Sequence, residues 1–170
     1  MSNARSLADI KIDLAPEVQT IMARYPTSRS AIMPVLELAQ QKYGVVDGDV
    51  YQTVAELLDV PEIWVFEVAS FYTLFDRTVT GRHHIRLCTN LSCQLRGSDA
   101  LLIHLQRRLD VESGGTTRDG IFTLSAVECL GACEVAPVLM VDRQYIGDLT
   151  VEKLDALLAS LADQPAEEMS

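Results

Sequence analysis

The chain has four cysteines in two close pairs: Cys88 and Cys93 with four residues between them, then Cys129 and Cys133 with three, the pairs being 35 residues apart. Thiols grouped this way suit a zinc ion, a pair of disulfides or an iron-sulfur cluster. Structural zinc accepts knuckles of about two to four intervening residues, but it usually organises a domain too small to hold itself together. Disulfides are disfavoured in a reducing compartment, where thiols stay open. Neither pair has the two-residue spacing of a thioredoxin-type redox dithiol. A 2Fe-2S cluster takes four thiolates, two on each iron, so its ligand pairs can come from separate loops. The spacing fits that tenant best, with zinc and structurally idle thiols left open.

The residues around the cysteines agree with an anionic guest. An all-thiolate cluster is negative, and backbone N–H groups aimed at its sulfurs contribute about 1.5–3 kcal/mol each. In "CLGAC" Gly131 permits positive φ and a close backbone approach. In "CTNLSC" Thr89, Asn90 and Ser92 favour turns. Glu128 and Glu134 would oppose added negative charge and lower a reduction potential.

The cysteines must be held by the segments on either side. Cys88 and Cys129 each close a run that reads as a strand, "GRHHIRLC" and "GIFTLSAVEC", and "PVLMVDRQYIGDL" reads as a further strand pair. Two strand-end loops of one sheet can face each other. Between the strands, "GSDALLIHLQRRLD" is an amphipathic helix with Ser98 as its expected cap and Leu101, Leu102, Leu105 and Leu109 on its apolar side. Thr150 caps a last helix whose Val151, Leu154, Leu157, Leu158 and Leu161 share one face. The polar tail "DQPAEEMS" reads as frayed.

The texture before Gly81 is different, with helix following helix. Ile32, Val35, Leu36, Ala39 and Tyr43 fall at helical spacing, with Pro34 in the first turn and Gly44 as the stop. Asp47 or Asp49 caps a stripe of Val50, Val54, Leu57 and Leu58. "PEIWVFEVASFYTLF" starts at Pro61 and is apolar nearly all round, so it is either buried or covered by another chain. The boundary places residues 1–80 in an N-terminal helical domain and 81–170 in a small α/β domain with helices against a sheet, an α+β protein overall.

Bulk properties narrow the function. At 170 residues and 48% hydrophobic, the chain can bury a core without staples. A net charge of -10 argues against nucleic acid, whose affinity rests on Lys and Arg. Arg5, Asp9, Lys11 and Asp13 interrupt the apolar stretch that an export signal needs. "VAPVLMV" is far below the roughly 20 residues of a bilayer crossing, so a cytoplasmic protein is expected. Trp64, Phe66, Phe71, Tyr72 and Phe75 read as core before docking surface. His83, His84 and His104 read as strand and helix surface, since none stands at knuckle spacing from a cysteine. "ESGGTTRDG" lacks a phosphate-binding glycine pattern and reads as a loop. No set of nucleophile, base and orienting group is visible for an independent catalytic site.

"CTNLSC", "CLGAC" with the following "EVAP", "VASFYTLF", "GGTTRDGIFTL" and "YIGDLT" together resemble the thioredoxin-like 2Fe-2S ferredoxin family, in the branch serving NADH-quinone oxidoreductase, respiratory complex I. The likeness covers nearly the whole chain. It implies a thioredoxin-like domain with one 2Fe-2S cluster on Cys88, Cys93, Cys129 and Cys133. It implies a partner subunit that binds FMN and NADH, further peripheral-arm subunits, and attachment to the inner membrane through the complex without insertion. Equivalent subunits of NAD-reducing hydrogenases and NAD-dependent formate dehydrogenases share this module, and a zinc-stabilised interaction module is the reading from another class.

Overall fold

The computed structural model describes residues 6–141 and 143–163. It divides into two compact units, Met1–Val79 and Thr80–Ser170.

Among the described residues the first unit is helical. α1 (Leu7–Met22) opens with a capping box between Ser6 and Asp9 and turns Ile10, Leu14 and Val18 inward. It was not foreseen in the sequence, although the box and this spacing mark it. A single 3-10 turn, Ser28–Ala31, leads into α2 (Ile32–Tyr43), which ends on Gly44 at φ 75. Pro34 sits in its first turn, where the missing N–H costs nothing. Asp47 caps α3 (Gly48–Leu58) by accepting from the Val50 N–H. α4 (Glu62–Phe71) follows Pro61. α1 and α4 both lie against α3.

The aromatic residues correct an expectation. Of the five aromatics from Trp64 to Phe75 only Phe75 is buried, while Phe66, Tyr72 and Phe71 are 42%, 43% and 77% exposed. α4 buries just Val65 and Ala69, four apart on one side, so the bulkier residues fall outward. Its helix stops at Phe71 because Tyr72 is extended (φ -93, ψ 113), and the redirected chain brings Phe75 back into the core. Trp64 is partly buried, with the Arg29 guanidinium 4.5 Å above its ring. Leu36, fully enclosed in this core, is expected to cost about 2–5 kcal/mol on replacement by Ala, read as a lowered urea midpoint. A loss below about 1 kcal/mol would show that the site collapses around the deletion.

The second unit is built on four strands, β1 (His83–Cys88), β2 (Phe122–Val127), β3 (Leu139–Val141) and β4 (Gln144–Ile146), in the spatial order β2-β1-β3-β4. β1 runs parallel to β2 and antiparallel to β3, and β3 pairs antiparallel with β4. The short helix α5 (Leu91–Leu95) and α6 (Ser98–Leu109) fall between β1 and β2, and α7 (Val151–Ala162) closes the described chain. Ile85, Leu87, Leu124 and Leu139 pack with Leu101 and Leu105 of α6 and Leu154 and Leu158 of α7. The tail beyond Asp163 lies outside the described residues.

Two local expectations change here. Gly97, at φ 93, occupies the cap position of α6, and Ser98 becomes its buried first residue. His83 and His84 are not on the surface: each is 8% exposed, because β1 lies between two strands and is buried along its whole length. The His84 Nε2 lies 2.8 Å from the Ser125 Oγ. His104 is partly exposed on α6, 2.9 Å from Asp155 of α7. Thr150 caps α7 as expected, accepting from the Lys153 N–H. No helix among the described residues is long and apolar enough to cross a membrane.

Candidate metal centre

Parallel strands carry their C-terminal ends to the same edge of a sheet. In the β1–β2 pair Cys88 stands directly opposite Val127, so the turns that follow both strands begin side by side. Thr89 fastens them: its N–H and its hydroxyl both donate to the Val127 carbonyl, at 2.8 and 3.0 Å. The Cys88 thiol donates to the Glu128 carbonyl at 3.4 Å, linking the first cysteine to the residue just before Cys129.

The segment after Cys88 is a helical turn and not only a loop. Asn90 caps α5, accepting from the Leu91 N–H, and the five-residue helix delivers Cys93 inward. Cys93 is 1% exposed and packs with Cys88, Ala136 and Val138, while Leu91 and Leu95 on the same short helix point to solvent. Burial pushes the Cys93 thiol above its ordinary pKa, and a hydrogen bond with Cys88 and the nearness of the Cys88 and Cys133 sulfurs push the same way. A backbone hydrogen bond from Val138 works against that rise by favouring the thiolate.

The second pair sits on a tighter turn. Gly131 takes φ 73, a left-handed conformation that its lack of a side chain allows, and its N–H reaches the Cys129 sulfur at 3.4 Å. Cys133 opens a 3-10 turn, Cys133–Val135. That turn is braced from the far side of β4: the Asp148 N–H donates to the Val135 carbonyl at 2.7 Å and the Leu149 N–H to the Pro137 carbonyl at 3.1 Å. The brace demands a close approach, because a Cβ at Gly147 would lie 2.7 Å from the Val135 carbonyl oxygen.

Cys93 thus feels both Cys88 and Cys133, and Cys129 directly follows Glu128, whose carbonyl accepts from the Cys88 thiol. All four thiols are free, with Cys88 and Cys93 buried and Cys129 and Cys133 exposed. Among the described residues no three or more His, Cys, Asp or Glu side chains form a ready-made site for a single metal ion. The donor set is soft, sulfur throughout, and backbone N–H groups of Gly131 and Val138 already serve two of the sulfurs. Such a setting fits a thiolate-bound anionic group. Thr89 and Asn90 hold the first turn as their residue types suggest. The Val138 N–H, the Glu128 carbonyl and the Gly147 contact carry no side-chain signal, so spacing could not reveal them.

The profile of the thioredoxin-like [2Fe-2S] ferredoxin family matches residues 18–162. The second E-type subunit of NADH-quinone oxidoreductase from Rhizobium meliloti (strain 1021) is 54% identical over 144 residues, covering 85% of this chain and 86% of that protein. The E-type subunit of NADH-quinone oxidoreductase from Rickettsia prowazekii (strain Madrid E) is 41% identical over 143 residues, with 82% and 81% covered. Among solved structures, the NAD+-reducing [NiFe]-hydrogenase in the air-oxidized state superposes with a TM-score of 0.68 at 22% identity, over 79% of this chain but only 23% of the hydrogenase chain. That likeness concerns the fold alone. The matched span takes in both cysteine pairs and most of the helical unit, and the chain belongs to the thioredoxin-like 2Fe-2S ferredoxin family.

Proposed function

We propose that this chain is the electron-carrying E-type subunit of an NADH-quinone oxidoreductase, with one 2Fe-2S cluster held by Cys88, Cys93, Cys129 and Cys133. The observation that carries the reading is the meeting of the two turns, with Cys88 paired to Val127, Thr89 bonded twice to the Val127 carbonyl and the Cys88 thiol bonded to the Glu128 carbonyl beside Cys129. When bound, the cluster supplies a store for one electron. The protein supplies the rest. The buried pair excludes water from one side, the N–H groups of Gly131 and Val138 offset negative charge on sulfur, and exposed Cys129 and Cys133 leave the other side open to a partner.

The partner is a subunit that binds NADH and FMN, and the exchange is with that flavin. Relatives at 41–54% identity that carry the NADH-quinone oxidoreductase name support this over a hydrogenase or formate dehydrogenase host. Residues 1–80 act as the subunit-contact domain and 81–170 as the cluster domain. The exposed Ile63, Phe66 and Phe71 of α4 support a contact role, since large apolar side chains left together on a surface mark interaction sites. The protein works in the cytoplasm at the inner membrane, attached through its complex.

Protein purified in air is expected to be brown, with broad visible bands and iron and acid-labile sulfide in equal amounts. It should also co-purify with a flavoprotein. A colourless protein with stoichiometric zinc would overturn the reading in favour of an interaction module.

A further inference from the structure

One cation of the second unit has no part in the fold's apolar core and stands close to the cysteine site. Arg86 is the second residue before Cys88 on β1, so the two side chains leave the same face of the sheet, about 7 Å apart along the strand. It is 4% exposed, and its neighbours across the ladder are Ser125 and Met140, neither of them charged. Arginine keeps its charge at any working pH. The acidic residues beside the site, Glu128 and Glu134, are exposed, and water screens an exposed charge far more than a buried one.

We infer that Arg86 sets the reduction potential of the group held by the four cysteines, raising it by favouring the more negative, reduced state. This inference rests on the cluster reading above. At an effective dielectric constant of about 20, one charge roughly 10 Å from another changes an equilibrium by about tenfold. Arg86 is engaged within the chain. Any acidic group that it engages is left uncompensated when the guanidinium is removed, which shifts the equilibrium in the same direction. Arg86 is a positioning charge and not a ligand.

The test compares full-length wild type, Arg86→Met and Arg86→Lys, each loaded with iron and sulfide. Cluster content is read from metal and sulfide analysis, and the midpoint from a redox titration followed by electron paramagnetic resonance. Cluster content is expected to stay level. At the wild-type midpoint, the reduced-to-oxidised ratio is expected to fall about tenfold in Arg86→Met, a shift of about 59 mV for one electron. In Arg86→Lys it should change by less than about threefold, because the charge is kept. An Arg86→Met midpoint equal to wild type overturns the inference, as does an Arg86→Lys shift as large as that of Arg86→Met, which would mark a packing effect. Should Arg86→Met fail to fold, Arg86→Gln, which also removes the charge but stays polar, takes its place: a midpoint equal to wild type overturns the inference and a fall of about tenfold in the ratio upholds it. Wild-type protein that takes up no iron and sulfide is a failure of the cluster reading, seen before any variant is compared.

Discussion

Cys93→Ser is expected to lower iron and sulfide per chain more than tenfold and to leave the protein colourless, while Cys129→Ser keeps a measurable fraction of its visible absorption. The difference follows from where the two sulfurs sit. Cys93 is enclosed by Cys88, Ala136 and Val138, so a shorter, harder oxygen there can neither move toward a metal nor be replaced by water. Cys129 is exposed on a turn pinned through backbone groups, and that turn can adjust to a serine ligand or admit solvent. Folding is not the cause of the expected loss. Serine is close to cysteine in volume, and the Val138 backbone group that serves the sulfur can serve an oxygen. Metal analysis beside far-ultraviolet circular dichroism separates the two effects. A Cys93→Ser protein that loads like wild type would remove Cys93 from the ligand set.

Gly147→Ala is expected to loosen the site without touching a cysteine. The added methyl would intrude on the Val135 side chain and lie 2.7 Å from its carbonyl oxygen, a backbone atom that cannot swing aside as a flexible side chain can. Overpacking of this kind costs about 1–3 kcal/mol. Relief requires the Cys133–Pro137 segment to move, breaking the bonds from Asp148 and Leu149 that hold it. The expected result is a lower melting temperature and several-fold faster bleaching of the loaded protein by an iron chelator. Gly131→Ala provides the comparison: its Cβ meets nothing within 4 Å, so its cost is the left-handed backbone alone, about 1–2 kcal/mol. Bleaching that is faster in Gly131→Ala than in Gly147→Ala would show that the brace does not control retention.

Much of this arrangement was readable from residue types. The strand-ending position of Cys88, the stripes of α2 and α3, the caps Asp47 and Thr150, and the glycine stop of α2 all follow from local rules, and the structure keeps them, whereas β2 stops at Val127 and leaves Cys129 two residues beyond it. The misplaced histidines and aromatics share one cause, which is that local pattern does not say what covers a face. His83 and His84 are polar and read as surface for want of a cysteine at knuckle spacing, yet β1 is an inner strand buried along its whole length. Phe66 and Phe71 have the composition of a core, but a helix of ten residues that buries only Val65 and Ala69 leaves them outside. Ser98 is a good cap by residue type, and Gly97 took the position because a left-handed backbone was needed there. Residue spacing singled out the sulfurs as candidates, whereas their backbone partners depend on pairing between distant segments.

β1 is held by neighbours on both sides, and Cys88 is its last residue, whereas the turn carrying Cys129 and Cys133 lies outside the strands and is fastened at its ends and by its brace. The site therefore has a hinge and a lip. Prising it apart from the Cys88 side means unzipping two ladders at once, but parting it at Cys129 means bending one short loop. Strain at the nest is thereby taken up on the Cys129 side, and the four-stranded sheet acts as its fixed back wall.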